Sequence, residues 1–274
     1  MFLKTNIGVF EMATKIKDER KLTEIRNYKV VKANELIQKS RYNLQVQEQK
    51  IILYLISKLK PENIEIKDHL FEIKEFCKIC GLDDTSGANY KYIKQTLKDL
   101  RDKSIWVKLE NGAETTLAWI DKVTIFENSG TVIVKIDDMM KPYLLQLKEH
   151  FTQYELLYTL GMKSQYSIRL YELLKSYEFQ HEKLFKIEEL KIRLSAETYN
   201  RFPDFKRRVL TPAIQEINNL SDLTVIYDLI KESKKYIEIK FIIKIKKDIR
   251  DRVKTWAKID EIINPEKKSV RFRK

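Results

Sequence analysis

One order of secondary-structure signals is written twice along this chain, and that repetition limits the folds open to it. In the first half, apolar spacing predicts a helix over Glu48–Leu59, a strand over Leu70–Ile73 and a helix over Lys74–Cys80. A longer helix over Asn89–Lys103 follows, then strands at Ile105–Leu109, Thr115–Ile120, Val123–Glu127 and Thr131–Asp137. In the second half the series is a helix over Tyr166–Tyr177, a strand over Leu184–Ile187 and a helix over Glu188–Leu194. Another helix comes next, then strands at Leu223–Ile230 and Tyr236–Lys246. A shift of 114 residues lays Phe71 on Phe185, Ile73 on Ile187 and Glu75 on Glu189. A shift of 117 pairs Ile93 with Leu210, Leu97 with Ile214 and Leu100 with Ile217, as a short loop insertion would produce. Helix, strand, helix, helix and β-hairpin is the order of a winged helix, a helix-turn-helix with a β wing.

The expected fold is therefore α+β, with two tandem winged-helix domains related by a degenerate internal duplication. A length of 274 residues gives each domain enough core to fold without staples. The expected divisions are a partly disordered N-terminal extension (1–27), a first winged helix (28–150), a second (151–250) and a basic tail (251–274). Asp138–Leu147 reads as a short connecting helix with Asp138 as its N-cap, and glycine is too scarce for a long flexible linker. Each half is expected to fold alone when the chain is cut near His150.

The most distinctive stretch is Tyr199–Asp222, YNRFPDFKRRVLTPAIQEINNLSD. At helical spacing Phe205, Val209, Ala213, Ile217 and Leu220 share one face. Arg208, Thr211, Gln215 and Asn218 share the other, and Pro203 suits the first turn. Arg201, Lys206 and Arg207 add cations at the start. Such a helix can grip phosphates through its cations and pair Arg or Gln bidentately with base edges. An ordinary surface helix with solvated charges would look similar.

The wording of this stretch resembles the C-terminal hallmark of theta-type plasmid replication initiators of the Rep_3 (RepB/RepE-like) family. The matching positions are Phe205, Lys206, Arg208, Val209, Leu210, Pro212, Ala213, Glu216, Ile217 and Asn218. The likeness extends from about Val31 to about Lys247 and is weaker in the first half. It implies a protein that binds repeated origin sites (iterons) in double-stranded DNA as a monomer. It also implies dimers, held largely by the first domain, that bind an operator inverted repeat at the protein's own promoter. A host replication initiator and the replicative helicase are the implied protein partners. On that reading a charge at Leu144 would disturb the dimer alone. A winged-helix transcriptional repressor without a replication role would present the same DNA-reading surface and remains the alternative.

The charge distribution fits a polyanionic partner. The formal net charge is +13, and sixteen Lys and Arg against seven Asp and Glu fall between Lys231 and Lys274. An AT-rich genome inflates Lys more than Arg, so the adjacent Arg207 and Arg208 weigh more than the total. The last predicted strand alternates cleanly, with Ile237, Ile239, Phe241, Ile243 and Ile245 inward and Lys240, Lys244 and Lys246 outward. Lys234 and Lys235 precede it, so the hairpin suits a wing over phosphates, although lysines also guard edge strands. On the helix over Asn89–Lys103, Lys91, Lys94, Gln95, Lys98 and Arg101 share the outer face. They form a lysine-based surface that either positions DNA or is simply solvated.

Other chemistries find little footing. Cys77 and Cys80 sit at i and i+3 on an amphipathic stretch, where reduced core thiols are the simple reading and zinc would lack two further ligands. Gly161-Met162-Lys163-Ser164 lacks the upstream glycine of a phosphate loop. His69, His150 and His181 are isolated from one another, and Asp83-Asp84 and Asp137-Asp138 are adjacent pairs whose side chains diverge. No metal, cofactor or catalytic set is expected. No apolar run spans a membrane, and the protein is expected to be cytoplasmic.

Overall fold

A computed structural model describes residues 19–82, 87–109 and 111–264. Most of the N-terminal extension, the pair Asp83-Asp84 and the residues after Asn264 lie outside them.

The described residues begin with helix α1 (residues 19–26), strand β1 (Lys29–Ala33), α2 (Asn34–Lys39) and β2 (Ser40–Arg41). The first winged helix then runs α3 (Val46–Ser57), β3 (His69–Glu72), α4 (Ile73–Cys80), α5 (Gly87–Asp102), and later β6 (Ile120–Phe126) and β7 (Thr131–Ile136). Its sheet has the order β3-β7-β6, all antiparallel. Between α5 and the wing, β4 (Ser104–Lys108) and β5 (Glu114–Ala118) form an extra hairpin that pairs with β2.

After a 3-10 turn (Asp138–Met140), α6 (Lys141–Leu144), β8 (Phe151–Glu155) and α7 (Leu157–Leu160), the plan recurs. Helix α8 (Gln165–Lys175) is followed by β9 (Glu182–Lys186) and α9 (Ile187–Arg193). Then come α10 (Phe202–Phe205), a π turn (Lys206–Leu210) and α11 (Thr211–Leu220), which make one continuous helix. Strands β10 (Leu223–Glu232) and β11 (Lys235–Ile245) complete a sheet of order β10-β11-β9, so β9, β11 and β10 occupy the places of β3, β7 and β6. The shifted positions agree in burial: Phe71 and Phe185, Ile93 and Leu210, and Leu97 and Ile214 all lie inside. Two tandem winged helices are present.

Several expectations need correction. The turn before α6 is capped by Asp137, whose side chain accepts from the Met139 N–H 2.8 Å away; Asp138 instead pairs with Lys135 and Lys141. The reason is geometric: Asp137 has the extended backbone a cap requires. Leu144 is 1% exposed, so a charge there would break the core rather than a subunit contact. The segment expected as a basic tail contains an ordered helix, α12 (Ile249–Ile263), capped by Asp248 and anchored by buried Thr255, Ile259 and Ile263. On β11, Ile237 and Ile245 are more than a third exposed, because the alternation outruns the core at both ends of the strand.

The two winged helices share one apolar core. Strand β8 pairs with β1, so residues just past His150 complete a ladder started at Lys29. Arg169 on α8 donates to the carbonyls of Ile37 (2.8 Å) and Ser40 (3.0 Å), and Lys50 on α3 donates to the carbonyl of Leu160 (2.6 Å). A cut near His150 would strand these groups, which argues against independent folding of the halves. Cys77 and Cys80 are buried thiols in no disulfide; burial pushes Cys80 up to about 12, which makes it inert at neutral pH.

Candidate nucleic-acid interface

The helix running through residues 202–220 is built around Pro212. Proline has no N–H to give the carbonyl of Arg208, and its ring crowds that carbonyl. The chain answers with a π turn in which the Thr211 N–H bonds the carbonyl of Lys206. Phe205, Val209, Leu210, Ala213 and Ile217 still face inward, all fully buried. The turn therefore holds Lys206, Arg207 and Arg208 together on the solvent side, where all three are exposed.

Their freedom differs. Arg207 is engaged by Asp204 at 3.0 Å, and Arg201 lies 4.0 Å from the same carboxylate. Lys206 and Arg208 form no ion pair among the described residues. Gln215 is exposed about two turns beyond Arg208, and Thr211 is half-buried between them.

The other polar residues of this helix have structural duties. Glu216 accepts from the backbone N–H groups of Lys163 (3.1 Å) and Ser164 (3.2 Å), tying the helix to the start of α8. Asn218 brackets Val225 on β10, donating to its carbonyl (2.9 Å) and accepting from its N–H (2.6 Å). Asn218 is thus a strap to the wing, not a base reader. Lys246 is likewise withdrawn, because its ammonium donates to the carbonyls of Asn218 (2.6 Å) and Ser221 (2.8 Å) at the end of α11. Burial lowers its pKa.

The wing meets the beginning of this helix. The Tyr236 ring lies 4.9 Å from Phe202, and Lys231 sits over the Tyr236 ring at 4.6 Å. Lys234 and Lys235, exposed at the hairpin tip, are brought to the same end as Arg201. Lys244 is not. It lies nine residues along β11 from Lys235, roughly 30 Å at strand rise, opposite Thr224 and near the far end of α11. The aromatic contact carries no local sequence signal, since it joins residues 34 positions apart.

In the first domain Lys91, Lys94, Gln95 and Lys98 are all exposed on α5. Lys94 pairs with Glu127 on the loop beyond β6, and Gln95 donates to Asp99 at 2.7 Å. With Arg101 and Lys122 they wall a groove of about 590 Å³ whose floor includes Val123 and Ile125. Arg101 is expected on this outer face, whereas Lys122, on β6, is a cation of the surface that the pattern of α5 could not single out.

Among the described residues no group of three His, Cys, Asp or Glu is placed to hold a metal ion, and no helix is long and apolar enough to cross a membrane.

The fold has a counterpart among solved structures, and the sequence has relatives. A solved structure, a Pi initiator protein in complex with iteron DNA, is similar at TM-score 0.67 and 21% identity, over 81% of this chain and 99% of that one. An Escherichia coli protein called "Replication initiation protein" is 27% identical over 212 residues, 73% of this chain and 65% of its own length. The Escherichia coli "PI protein" is 29% identical over 147 residues, 47% of this chain and 48% of its own length. Residues 29–175 match the family model described as "Initiator Replication protein, WH1", and residues 186–243 match "Initiator Rep protein, WH2". The first match alone spans more than half the chain, and on that ground the chain belongs to the initiator replication protein family.

Proposed function

We propose that this protein initiates plasmid replication by binding repeated origin sites in double-stranded DNA. The observation that carries this reading is the helix through residues 202–220, which presents Lys206 and Arg208 free of acidic partners among the described residues, beside a lysine-tipped wing. Arg208 and Gln215 are the base readers in this reading; Arg201, Lys206, Arg207, Thr211, Lys234 and Lys235 hold the backbone. The first domain contributes phosphate contacts through Lys91, Lys94, Gln95 and Lys98, so the second specifies and the first positions. Self-association, repression of its own promoter through an inverted repeat, and recruitment of the host initiator and helicase belong to the same reading, and family membership supports them.

The test is a titration of the purified chain against duplexes made from repeats flanking its gene and against scrambled duplexes. If six phosphate contacts form, log K falls with log salt at a slope of about −5, and the repeats bind far more tightly than scrambled DNA. A flat salt response with no preference for the repeats rules the reading out.

A further inference from the structure

The family matches begin at residue 29 and end at residue 243, which leaves α1 and α12 outside them. These two segments meet. From α1, Arg26 donates to the carbonyls of Ile79 (3.1 Å) and Lys78 (2.7 Å) at the end of α4, and to Asn264 Oδ1 (3.3 Å) just past α12. Burial lowers the Arg26 pKa, against the pull of Asp260 on α12.

Gly81 caps α4 in the left-handed region (φ 69°), and a Cβ there would lie 2.4 Å from the Ile263 Cα, so the end of α12 rests directly on its backbone. At its other contacts α12 is fastened to the second domain. Lys258 donates to Asn219 Oδ1 at 2.7 Å, Thr255 accepts from Lys246 at 3.2 Å, and the Ile259 and Ile262 side chains would touch a Cβ at Gly161. One helix therefore joins the DNA-reading helix of the second winged helix to the helix-turn-helix of the first.

We propose that α1 and α12 form a clasp that sets the separation and angle between the two DNA-reading helices, with Arg26 and Gly81 as its positioning residues. The family likeness of residues 29–243 accounts for the two winged helices; the clasp, built from segments outside that match, holds them in one register. On a duplex a change of one base pair moves the next contact by about 3.4 Å and about 35°. A rigid pair therefore tolerates one spacing, and a loosened pair tolerates several. The clasp rests on the proposed reading that both helices engage DNA, and its test has one arm that needs no DNA.

Full-length chains carrying Lys98→Cys and Gln215→Cys would be spin-labelled, since the native thiols are buried and do not compete. The distance distribution is then measured without DNA in the parent, in Arg26→Gln and in Gly81→Val. Spacing dependence is measured on unlabelled chains, using origin repeats with one base pair inserted between the two contacted segments. The parent should give one narrow distance and lose about tenfold in affinity on insertion. Both variants, folded cooperatively by thermal melting, should give broadened distances and lose less than about twofold. Should either variant fail to fold, the other decides alone. A folded variant with the parent's narrow distance and undiminished spacing penalty overturns the clasp. Broadening in the variants, with no spacing penalty in the parent, supports the clasp and removes the two-helix reading of DNA instead.

Discussion

Lys32 on β1 and Glu172 on α8 form a buried ion pair that ties these two elements together, with side chains 2% and 1% exposed. Glu172 also accepts from the Tyr154 and Tyr42 hydroxyls, so its charge is met from three sides. Breaking one partner leaves the other charge buried and unmet. Glu172→Gln is expected to cost about 3–5 kcal/mol, read from urea unfolding. In a double-mutant cycle with Lys32→Met, the coupling should exceed about 1 kcal/mol. Additive losses would mean that the pair does not tie β1 to α8.

His69 on β3 predicts a pH dependence. Burial, with Lys58 nearby, lowers its pKa to about 4 from an ordinary 6.5. The unfolded chain therefore takes up the proton first. The stability is fully present above pH 6.5 and is lost as pH falls toward 4. Between pH 7 and pH 5 the loss attributable to His69 should be about 2 kcal/mol. Comparison of urea midpoints with His69→Asn isolates it, and the variant should show a correspondingly shallower decline.

At the DNA surface, Arg208→Ala should cost about 1–3 kcal/mol on the origin repeats and relax preference at one base position. Lys235→Ala at the wing tip should weaken repeats and scrambled DNA alike and reduce the salt slope by about 1. Lys244→Ala, at the far end of the strand, should do less than either. Titration of each variant against both duplexes separates the three roles, and a Lys244 effect equal to that of Lys235 would place the DNA elsewhere.

Pro212→Ala restores the missing N–H and permits a regular α-turn. The helix should become no less stable, while Arg208 shifts relative to Gln215. The expected outcome is an unchanged or raised melting temperature with weaker discrimination between repeats and scrambled DNA. Unchanged discrimination would make the π turn a mere accommodation of proline.

Much of this was legible in the residues themselves. The core faces of α5 and α11 follow from Ile93, Leu97 and Leu100 and from Ala213, Ile214 and Ile217, because a 3.6-residue period places them on one stripe whatever surrounds them. The exposed cations of α5 and of the π turn follow from the same period. Asn218 shows where that reasoning stops: its position is outward-facing, but Val225 claims its side chain. Lys246 fails in the same way, on the last carbonyls of α11.

By itself, the sequence determined the two winged helices, their order and the inward stripes, since these depend on local period and turn chemistry. Only the tertiary structure decided that β8 returns to β1, that Arg26 meets Asn264 238 positions away, and that Phe202 stacks on Tyr236. Such contacts form between surfaces that exist only after the elements have packed. No periodicity within one segment specifies which distant segment will cover it.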